Sequence, residues 1–408
     1  MSLSRRTLLQ LAALPLLVPR RAFAAAPERK FLFLFTDGGW DPTWALYPAY
    51  DSAGIEGNPD GEAGEVGGIP YVLSPRLGTV DRFFRAYADR TCMIHGLEVR
   101  SVTHERCKRL LLTGTSATDA DDWPSQIAAE SSGLLLPHLV VSGPAFTAEH
   151  TSAVVRLGSD GQIGRLLDGS ALSDAGLDPL ADPAAAAVAR FRAARARTFA
   201  AAAGAGRTRV VAEGLVAAQE QLAEVFAIDD LDLGVVSADS STADRLALAL
   251  DCFERGYSRT AIVRHGGEFD VGWDNHSDMD QQNQHYERLF SDLVELCAEL
   301  DARPGAGGGS LADETTLVVI SEMGRAPRLN ATAGKDHWTF TSAMLIGAGV
   351  AGGRVVGGFD DNLLGRATDL RTGEPSSSGT LLGTAHLGAT LLALAGADVP
   401  DVIEAALA

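Results

Sequence analysis

The sequence predicts an α/β protein, a three-layer sandwich in which helices cover both faces of a mostly parallel central sheet. Residues 316–320 form a short apolar run with charge before it and Gly and Pro after it. This pattern is typical of a strand buried on both faces of a parallel sheet. A second strong strand pattern covers residues 30–36, and segments with helical apolar spacing separate the two runs. Polar residues follow each run directly, where the carboxyl ends of parallel strands carry ligand sites.

The other elements follow in chain order. A helix is predicted over residues 77–88 and a strand over 91–94, whereas residues 51–70, rich in Gly, Glu and Asp, are predicted to form a surface loop. Further strands are predicted at 137–141, 258–264 and 343–347, and further helices at 103–113, 242–253, 281–300 and 386–395. His285 is expected on the surface of its helix, and His386 is expected to cap or pack the last one.

Residues 142–230 differ in character from the rest of the chain. Ala-rich helical tracts occupy residues 183–203 and 208–226. Because such tracts carry no chemistry of their own, we expect this region to be a helical insertion about 142–230. The prediction for the mature chain is therefore a single α/β domain over residues 25–408 that carries this insertion.

The N-terminus has the layout of a twin-arginine secretory signal. Arg5 and Arg6 precede an apolar run at residues 11–18, and small residues at 22–24 offer a cleavage site. A membrane-anchoring helix is the alternative, but the run is too short to span a bilayer and Pro15 interrupts it. We expect the Tat translocase to export the chain, with loss of residues 1–24, to the periplasm or beyond, and we expect no stable membrane span.

Composition excludes several classes of partner. The chain has 408 residues, 46% apolar, and a formal net charge of −19, which becomes −23 when residues 1–24 and their four arginines are removed. So acidic a chain is a poor candidate for binding nucleic acid or anionic lipid surfaces. The four cysteines permit disulfides in an exported protein without requiring them. Cys252 and Cys297 lie in apolar helical contexts and are expected to be buried free thiols.

Carboxylates and a histidine follow two of the predicted strands. Asp37 and Asp41 come after the first strand, beside glycines that allow close backbone approach. For either residue, a metal ligand and an Asx turn are equally good interpretations. Glu322 follows the strand at 316–320, and Asp336 and His337 lie on the next loop, where chemistry is expected.

Two further stretches supply candidate site residues. Thr103 and His104 lie at a predicted helix N-terminus, which favours anions, and Lys108 lies one turn further along. Structural and functional interpretations of His104 are evenly balanced. The loop at 265–278 holds Asp274 and His276, and an Asp and a His two positions apart on a loop can face one ion.

Several of these motifs, in this order, carry a family resemblance. They are Asp37-Gly38-Gly39 after the first strand, His104 ahead of Thr113-Gly114, Gly272-Trp273-Asp274-Asn275-His276-Ser277, Ser321-Glu322-Met323-Gly324-Arg325, and Gly334-Lys335-Asp336-His337-Trp338. With the leader, they resemble the domain of unknown function 1501 family over most of the mature chain. That family is distantly similar to the alkaline phosphatase and sulfatase superfamily, which implies an alkaline-phosphatase-like fold and one or two metal ions.

The resemblance also implies site residues and departures from the superfamily pattern. It implies that Asp37, Asp274, His276, Glu322 and Asp336 or His337 are metal ligands. His104 stands where the superfamily has a Ser, Thr or Cys nucleophile, and Glu322-Met323 replaces an Asp-His pair. His104 is then the nucleophile, or Thr103 is, or the site binds metal without a covalent intermediate.

Together these features give two alternative functions. The first is metal-assisted hydrolysis of a phosphate or sulfate ester, with a divalent ion (Zn, Mn, Mg or Ca) on the carboxylate and imidazole ligands. In it, His104 acts as nucleophile or general acid/base, and Lys108 with the helix N-terminus neutralises a small-molecule or polymer-borne anionic substrate. The alternative is a non-catalytic exported binding or assembly protein on a degenerate hydrolase fold.

Overall fold

The computed structural model describes residues 28–157, 182–225 and 239–408, together with residues 228, 231, 233, 236 and 237. The predicted secretory signal lies outside the described residues. The twelve strands in this part of the chain are β1 (Lys30–Thr36), β2 (Glu62–Val66), β3 (Ile69–Leu73), β4 (Thr91–Glu98), β5 (His138–Val140), β6 (Val154–Arg156), β7 (Thr260–His265), β8 (Thr315–Ser321), β9 (Gly324–Arg325), β10 (His337–Trp338), β11 (Phe340–Gly347) and β12 (Arg354–Gly357).

Nine α-helices lie in the same described residues. They are α1 (Pro42–Ala45), α2 (Gly78–Tyr87), α3 (His104–Thr113), α4 (Trp123–Ala129), α5 (Asp182–Ala202), α6 (Arg207–Val225), α7 (Thr242–Glu254), α8 (Asp280–Ala302) and α9 (Thr384–Leu394). Short 3₁₀ turns cover Ala88–Arg90, Thr151–Ala153, Glu268–Asp270, Leu311–Glu314 and Glu404–Ala406. None of the helices that the structure describes is long and apolar enough to cross a membrane.

The central sheet has eight strands in the order β12-β4-β11-β8-β1-β7-β5-β6. β11 runs antiparallel to both of its neighbours, β4 and β8. Every other neighbouring pair is parallel. The prediction of a mostly parallel sheet is confirmed, and seven of the eight strands point their carboxyl ends toward one edge.

Alternation along β1 shows why the sheet is covered on both faces. Leu32 and Leu34 belong to a core cluster with side chains of α2, α7 and α8. Phe31, Phe33 and Phe35 belong to a second cluster, with side chains of α3, α4 and α9. Because successive side chains of a strand point to opposite faces, burial of both sets requires a helical layer on each side. These are the three layers that the sequence predicts.

The prediction of a surface loop at 51–70 is wrong in its second half. β2 and β3 form an antiparallel hairpin there, joined at Gly67 and Gly68. Both glycines have positive φ, 58° and 84°, as tight hairpin turns require. The abundance of Glu and Gly in β2 hid the strand, because β2 is mostly exposed and needs little apolar patterning.

Two histidine predictions have opposite outcomes. His285 is buried under the loop after β7, where its Nδ1 accepts a hydrogen bond from the Glu268 N–H, so the expectation of a surface position is wrong. His386 accepts a hydrogen bond from the Gly383 N–H at the start of α9, as a capping residue does. All four cysteines, Cys252 and Cys297 included, are buried free thiols.

Candidate metal centre

The candidate site residues lie along the carboxyl edge of the sheet. Asp37 and Glu322 directly follow the adjacent strands β1 and β8. His104 begins α3, which is reached from the carboxyl end of β4. His337 lies just before β11, and because that strand is antiparallel, its beginning lies at the same edge. The one reversed strand therefore adds a residue to the edge where the parallel strands end.

A cluster of three imidazoles surrounds the carboxylate of Asp274. The Nε2 atoms of His104, His276 and His337 lie 3.3, 3.2 and 3.1 Å from its oxygens. The Nε2 atoms of His276 and His337 are 2.9 Å apart. One ligand atom each of His104, Asp274 and His337 lie within 4.8 Å of one another. We call these four residues the Asp274 cluster.

The other ring nitrogen of each histidine faces an acceptor. His104 Nδ1 lies 2.9 Å from Glu322 Oε1, and His337 Nδ1 lies 2.7 Å from the Val102 carbonyl oxygen. His276 Nδ1 lies 3.4 Å from Asp336 Oδ1. Since carboxylates and carbonyls only accept, each Nδ1 is assigned a proton. Each Nε2 also faces an acceptor, the Asp274 carboxylate, so it needs either a second proton or a cation between it and the oxygen.

The Asp274 cluster therefore brings acceptors together and calls for a cation. The Nε2 atoms of three neutral imidazoles and the ionised Asp274 carboxylate can all act as hydrogen-bond acceptors, and each lies within 3.3 Å of another member of the cluster. Protons can supply the missing charge. Asp274 and Glu322 raise the pKa of His104 to about 9. Burial favours a higher pKa for Asp274, but His104, His337 and Arg325 outweigh it and hold that pKa far below its usual range.

The donor atoms fit a divalent metal equally well. A tetrahedral ion with bonds of about 2.0–2.1 Å separates its ligand atoms by about 3.3 Å. His104, Asp274 and His337 form the group whose ligand atoms all lie within 4.8 Å of one another, and His276 Nε2 approaches two of them, Asp274 and His337. Three imidazoles and one carboxylate suit Zn or Mn better than Ca or Mg, which prefer all-oxygen shells. Acceptors on Nδ1 are also the usual outer contacts of metal-bound histidines.

Glu322 contacts His104 from outside the cluster. Its side chain is fully buried, and both of its oxygens accept from the Gly38 N–H, at 2.9 and 3.1 Å. Gly38 has φ +128°, and a Cβ there would lie only 2.6 Å from the Asp274 backbone nitrogen. Glycine is therefore required at the point where the β1 loop contacts the loop that carries Asp274. Glu322 orients His104 and does not face the centre of the cluster.

Asp37 lies in a second cluster, with two cations. Lys108 Nζ is 2.9 Å from Asp37 Oδ1, and Arg264 Nε is 3.0 Å from Asp37 Oδ2. Burial favours a higher pKa for Asp37, but these two cations outweigh it and lower that pKa. Both carboxylate oxygens are thus engaged by positive charges, and the structure places Asp37 outside the Asp274 cluster.

A buried arginine connects the loops that carry the site. Arg325 has no exposed side-chain surface, and its Nη2 lies 2.6 Å from Asp274 Oδ1. It also donates to the carbonyls of Gly38, Gly39, Trp273 and Lys335. Arg325 stands in one of the family motifs and Arg264 in the predicted strand 258–264, and neither was predicted to have a role in the site. A cation directly after a run of buried residues was the available signal for both.

The remaining candidates lie at the margin of the site. Thr103 is exposed, and its hydroxyl is 3.1 Å from Ser101 Oγ. Asp336 is exposed beside His276. Asp41 is the N-cap of α1, and its other oxygen forms a buried ion pair with Lys335 at 2.6 Å. Of the two interpretations of Asp41, the Asx turn is therefore the one observed.

Comparison with known proteins identifies a family and several solved structures. The family model described as "Protein of unknown function (DUF1501)" matches residues 75–372. No curated protein matches the chain. Similar solved structures include a protein in the alkaline phosphatase superfamily from Vibrio parahaemolyticus, with 11% sequence identity and a TM-score of 0.40. The match covers 94% of this chain and 71% of that one.

Two further structures were solved with sugars bound. Ps i-CgsB in complex with k-i-k-neocarrahexaose has 11% identity and a TM-score of 0.40, and the match covers 92% of this chain and 73% of that one. A protein in complex with its substrate D-glucosamine-2-N,6-O-disulfate has 10% identity and a TM-score of 0.34, with 93% and 79% covered. Similarity this weak carries no conclusion about chemistry, which has to come from the site itself.

Proposed function

The chain belongs to the DUF1501 family of proteins of unknown function, and we propose that it is an exported, metal-dependent hydrolase of phosphate or sulfate esters. One observation carries the proposal. Three imidazole Nε2 atoms and the Asp274 carboxylate converge at one sheet edge, with two cations around Asp37 at the same edge. A site for a metal ion and a site for an anion, on adjacent strands, are the two requirements of this chemistry.

In this proposal the residues of the Asp274 cluster hold the metal. His104 belongs to this set and is not the nucleophile, because its Nε2 faces Asp274 and its Nδ1 is bound to Glu322. Thr103 is exposed and bonded to Ser101, so it also lacks the position of a nucleophile. When bound, the ion would act as a Lewis acid on the ester and activate water for attack. The reaction then needs no covalent intermediate.

Lys108 and Arg264 bind the anionic group of the substrate. Both contact Asp37, and Lys108 also pairs with Glu105 and Arg264 with Asp270. The donors left for an ester oxygen are therefore on the Lys108 ammonium and on the Arg264 Nη2 group. A planar guanidinium suits two oxygens of a phosphate or sulfate, while the ammonium acts as a point charge. Arg325 keeps Asp274 ionised and in place, and Glu322 fixes the ring of His104. Export through the twin-arginine pathway is also part of the proposal. The double substitution of Arg5→Lys and Arg6→Lys should block that export.

The proposal is tested with chelator-treated protein. Zn, Mn, Mg and Ca are added back singly, and hydrolysis of 4-nitrophenyl phosphate and 4-nitrophenyl sulfate is measured. We expect Zn or Mn to restore turnover of at least one ester, and Asp274→Asn to abolish it. Asp301→Asn is the matched control, because Asp301 also pairs with an arginine and has nearly the same exposure, 45% against 44%. Metal binding without turnover of either ester, or of larger sugar esters, would instead indicate the binding protein of the alternative.

A further inference from the structure

A cavity of about 420 Å³ lies further along the same edge of the sheet. Its lining includes Ser142, Gly143, Arg156, Arg245, Arg264 and Asp270. Ser142 follows β5, Arg156 ends β6 and Arg264 lies near the end of β7. Because β7, β5 and β6 are adjacent and parallel, the cavity covers the carboxyl ends of the three strands next to β1.

Arg264 belongs to both the cavity and the Asp37 cluster. Its Nε faces Asp37 Oδ2 at 3.0 Å, and its Nη1 faces Asp270 Oδ1 at 2.6 Å. Its backbone N–H donates to Ser142 Oγ at 2.9 Å, which fixes the strand end to the β5 loop. The cavity therefore begins at the side chain that we assign to binding of the ester group, so one substrate can occupy both places.

Among the described residues, the lining carries more positive than negative side chains, in a chain of opposite net charge. Three arginines and one carboxylate belong to it, and one of the arginines, Arg264, is paired with Asp37 and Asp270, whereas the whole chain has a net charge of −19. Arg245 is almost fully buried on α7, and Arg156 donates to the Ala145 carbonyl at 2.6 Å. Guanidinium groups gathered in a concave site recognise carboxylate, phosphate or sulfate groups through paired hydrogen bonds.

From this arrangement we infer that the cavity is a subsite for a second anionic group of the substrate, an inference that rests on the proposed function. Its volume falls within the range of small-molecule sites and accommodates about one sugar ring with a charged substituent. The substrate class is therefore a small molecule with at least two anionic groups, for which anionic sugars serve as probes. The ester group to be cleaved lies at Lys108 and Arg264, and the second sulfate, phosphate or carboxylate lies toward Arg156.

The test is a binding experiment that does not require turnover. Two ligand pairs are titrated by calorimetry into the Asp274→Asn variant: glucose 6-phosphate with glucose 1,6-bisphosphate, and glucose 6-sulfate with glucose 2,6-disulfate. The two pairs separate phosphate from sulfate recognition. In at least one pair, we expect the doubly anionic ligand to bind about 10-fold more tightly, since a hydrogen bond to a charged group has about that effect.

Arg156→Gln in the same background should reduce that preference to less than about 2-fold. Arg156→Lys should restore part of it, and Arg85→Gln, on an exposed arginine of α2, should leave it unchanged. Arg156 is exposed on an edge strand, so we expect equal melting temperatures for all variants. Equal affinity within both pairs, or a preference that survives Arg156→Gln, overturns the subsite.

The two proposals fail separately. If the wild-type protein hydrolyses no ester but the preference depends on Arg156, the hydrolase proposal is lost and the subsite stands. If an ester is hydrolysed but Arg156 does not increase the affinity for the doubly anionic ligands, only the subsite proposal is lost.

Discussion

Replacing Asp274 by Asn should remove metal-dependent stabilisation of the fold. Among the described residues, Asp274 is the carboxylate that faces all three imidazole Nε2 atoms, at 3.1–3.3 Å. An amide keeps the shape of the side chain but loses the charge that holds a divalent ion. The variant therefore tests whether the cluster binds metal, independently of any reaction.

The size of the effect follows from linkage. An ion present at about 1,000 times its Kd stabilises the folded state by about 4 kcal/mol. Unfolding entropy is about 2.1 cal/mol/K per residue near Tm, or about 0.9 kcal/mol/K for a chain of 408 residues. Saturating Zn or Mn should therefore raise the Tm of chelator-treated wild-type protein by about 5 °C. In Asp274→Asn the shift should fall below about 1 °C.

The metal-free proteins provide a second measure. Asn at position 274 leaves the buried Arg325 guanidinium without its anion, 2.6 Å away in the wild type. Because Asp274 is nearly half exposed, solvent screens the pair, and we expect a loss of about 1–2 kcal/mol, or about 2 °C. Differential scanning calorimetry with and without metal measures both effects. A metal shift that persists in Asp274→Asn, or that disappears in the control Asp301→Asn, would refute the assignment.

Three further predictions concern charge, protonation and backbone strain. Lys108→Gln should lower kcat/KM for aryl esters about 10- to 100-fold. Metal binding should stay intact, because Lys108 contacts Asp37 and not the Asp274 cluster. The control is Glu105→Gln, which changes the exposed second partner of Lys108. Burial lowers the pKa of His285 to about 4, so its stabilising contribution is complete above pH 6.5 and is lost as pH falls toward 4. By pH 5 the free energy of unfolding lost through His285 amounts to about 2 kcal/mol. Urea unfolding at pH 7 and pH 5 measures the total loss of stability between these pH values, which should be about 2 kcal/mol smaller in His285→Gln than in the wild type. Phe269→Gly should raise Tm slightly or leave it unchanged, because Phe269 has φ +57° and an 83% exposed side chain; a clear fall in Tm would show that its ring packs in solution.

The centre of the fold was predictable because its strands are buried on both faces. The runs that became β1 and β8 are too continuously apolar for exposed helices, so their place in a buried parallel sheet was predicted, whereas their mutual pairing is known only from the structure. The β2–β3 hairpin was not predictable in this way, since its stability depends on a two-glycine turn and on core contacts that come mainly from β3, with Val66 from β2. Burial of His285 was hidden because helical spacing shows which residues share a face, not which loop will cover that face.

The division of roles within the site could not be read from the sequence. Asp37, Asp274 and Glu322 are all carboxylates in loops after strands, and nothing local distinguishes them. The structure separates them through distant contacts: Gly38 N–H and His104 for Glu322, and Lys108 with Arg264 for Asp37. These contacts join residues more than 60 positions apart, so only the register of the sheet and the path of each loop determine them.

The charges around Asp37 lead to a final prediction, that the chain binds one metal ion and not two. A divalent ion at Asp37 would have to displace both Lys108 and Arg264, which lie 2.9 and 3.0 Å from the carboxylate oxygens. The Coulomb attraction of these two charges to the carboxylate opposes that displacement. At Asp274 one side-chain cation, Arg325, contacts Oδ1, and in the described part of the chain Oδ2 faces only the His104 imidazole, whose proton can leave when a metal binds. Elemental analysis should therefore give one equivalent of metal in the wild type and in Asp37→Asn, and less than about 0.1 equivalent in Asp274→Asn. Two equivalents in the wild type, or loss of metal in Asp37→Asn, would show that the two cations give way to a second ion.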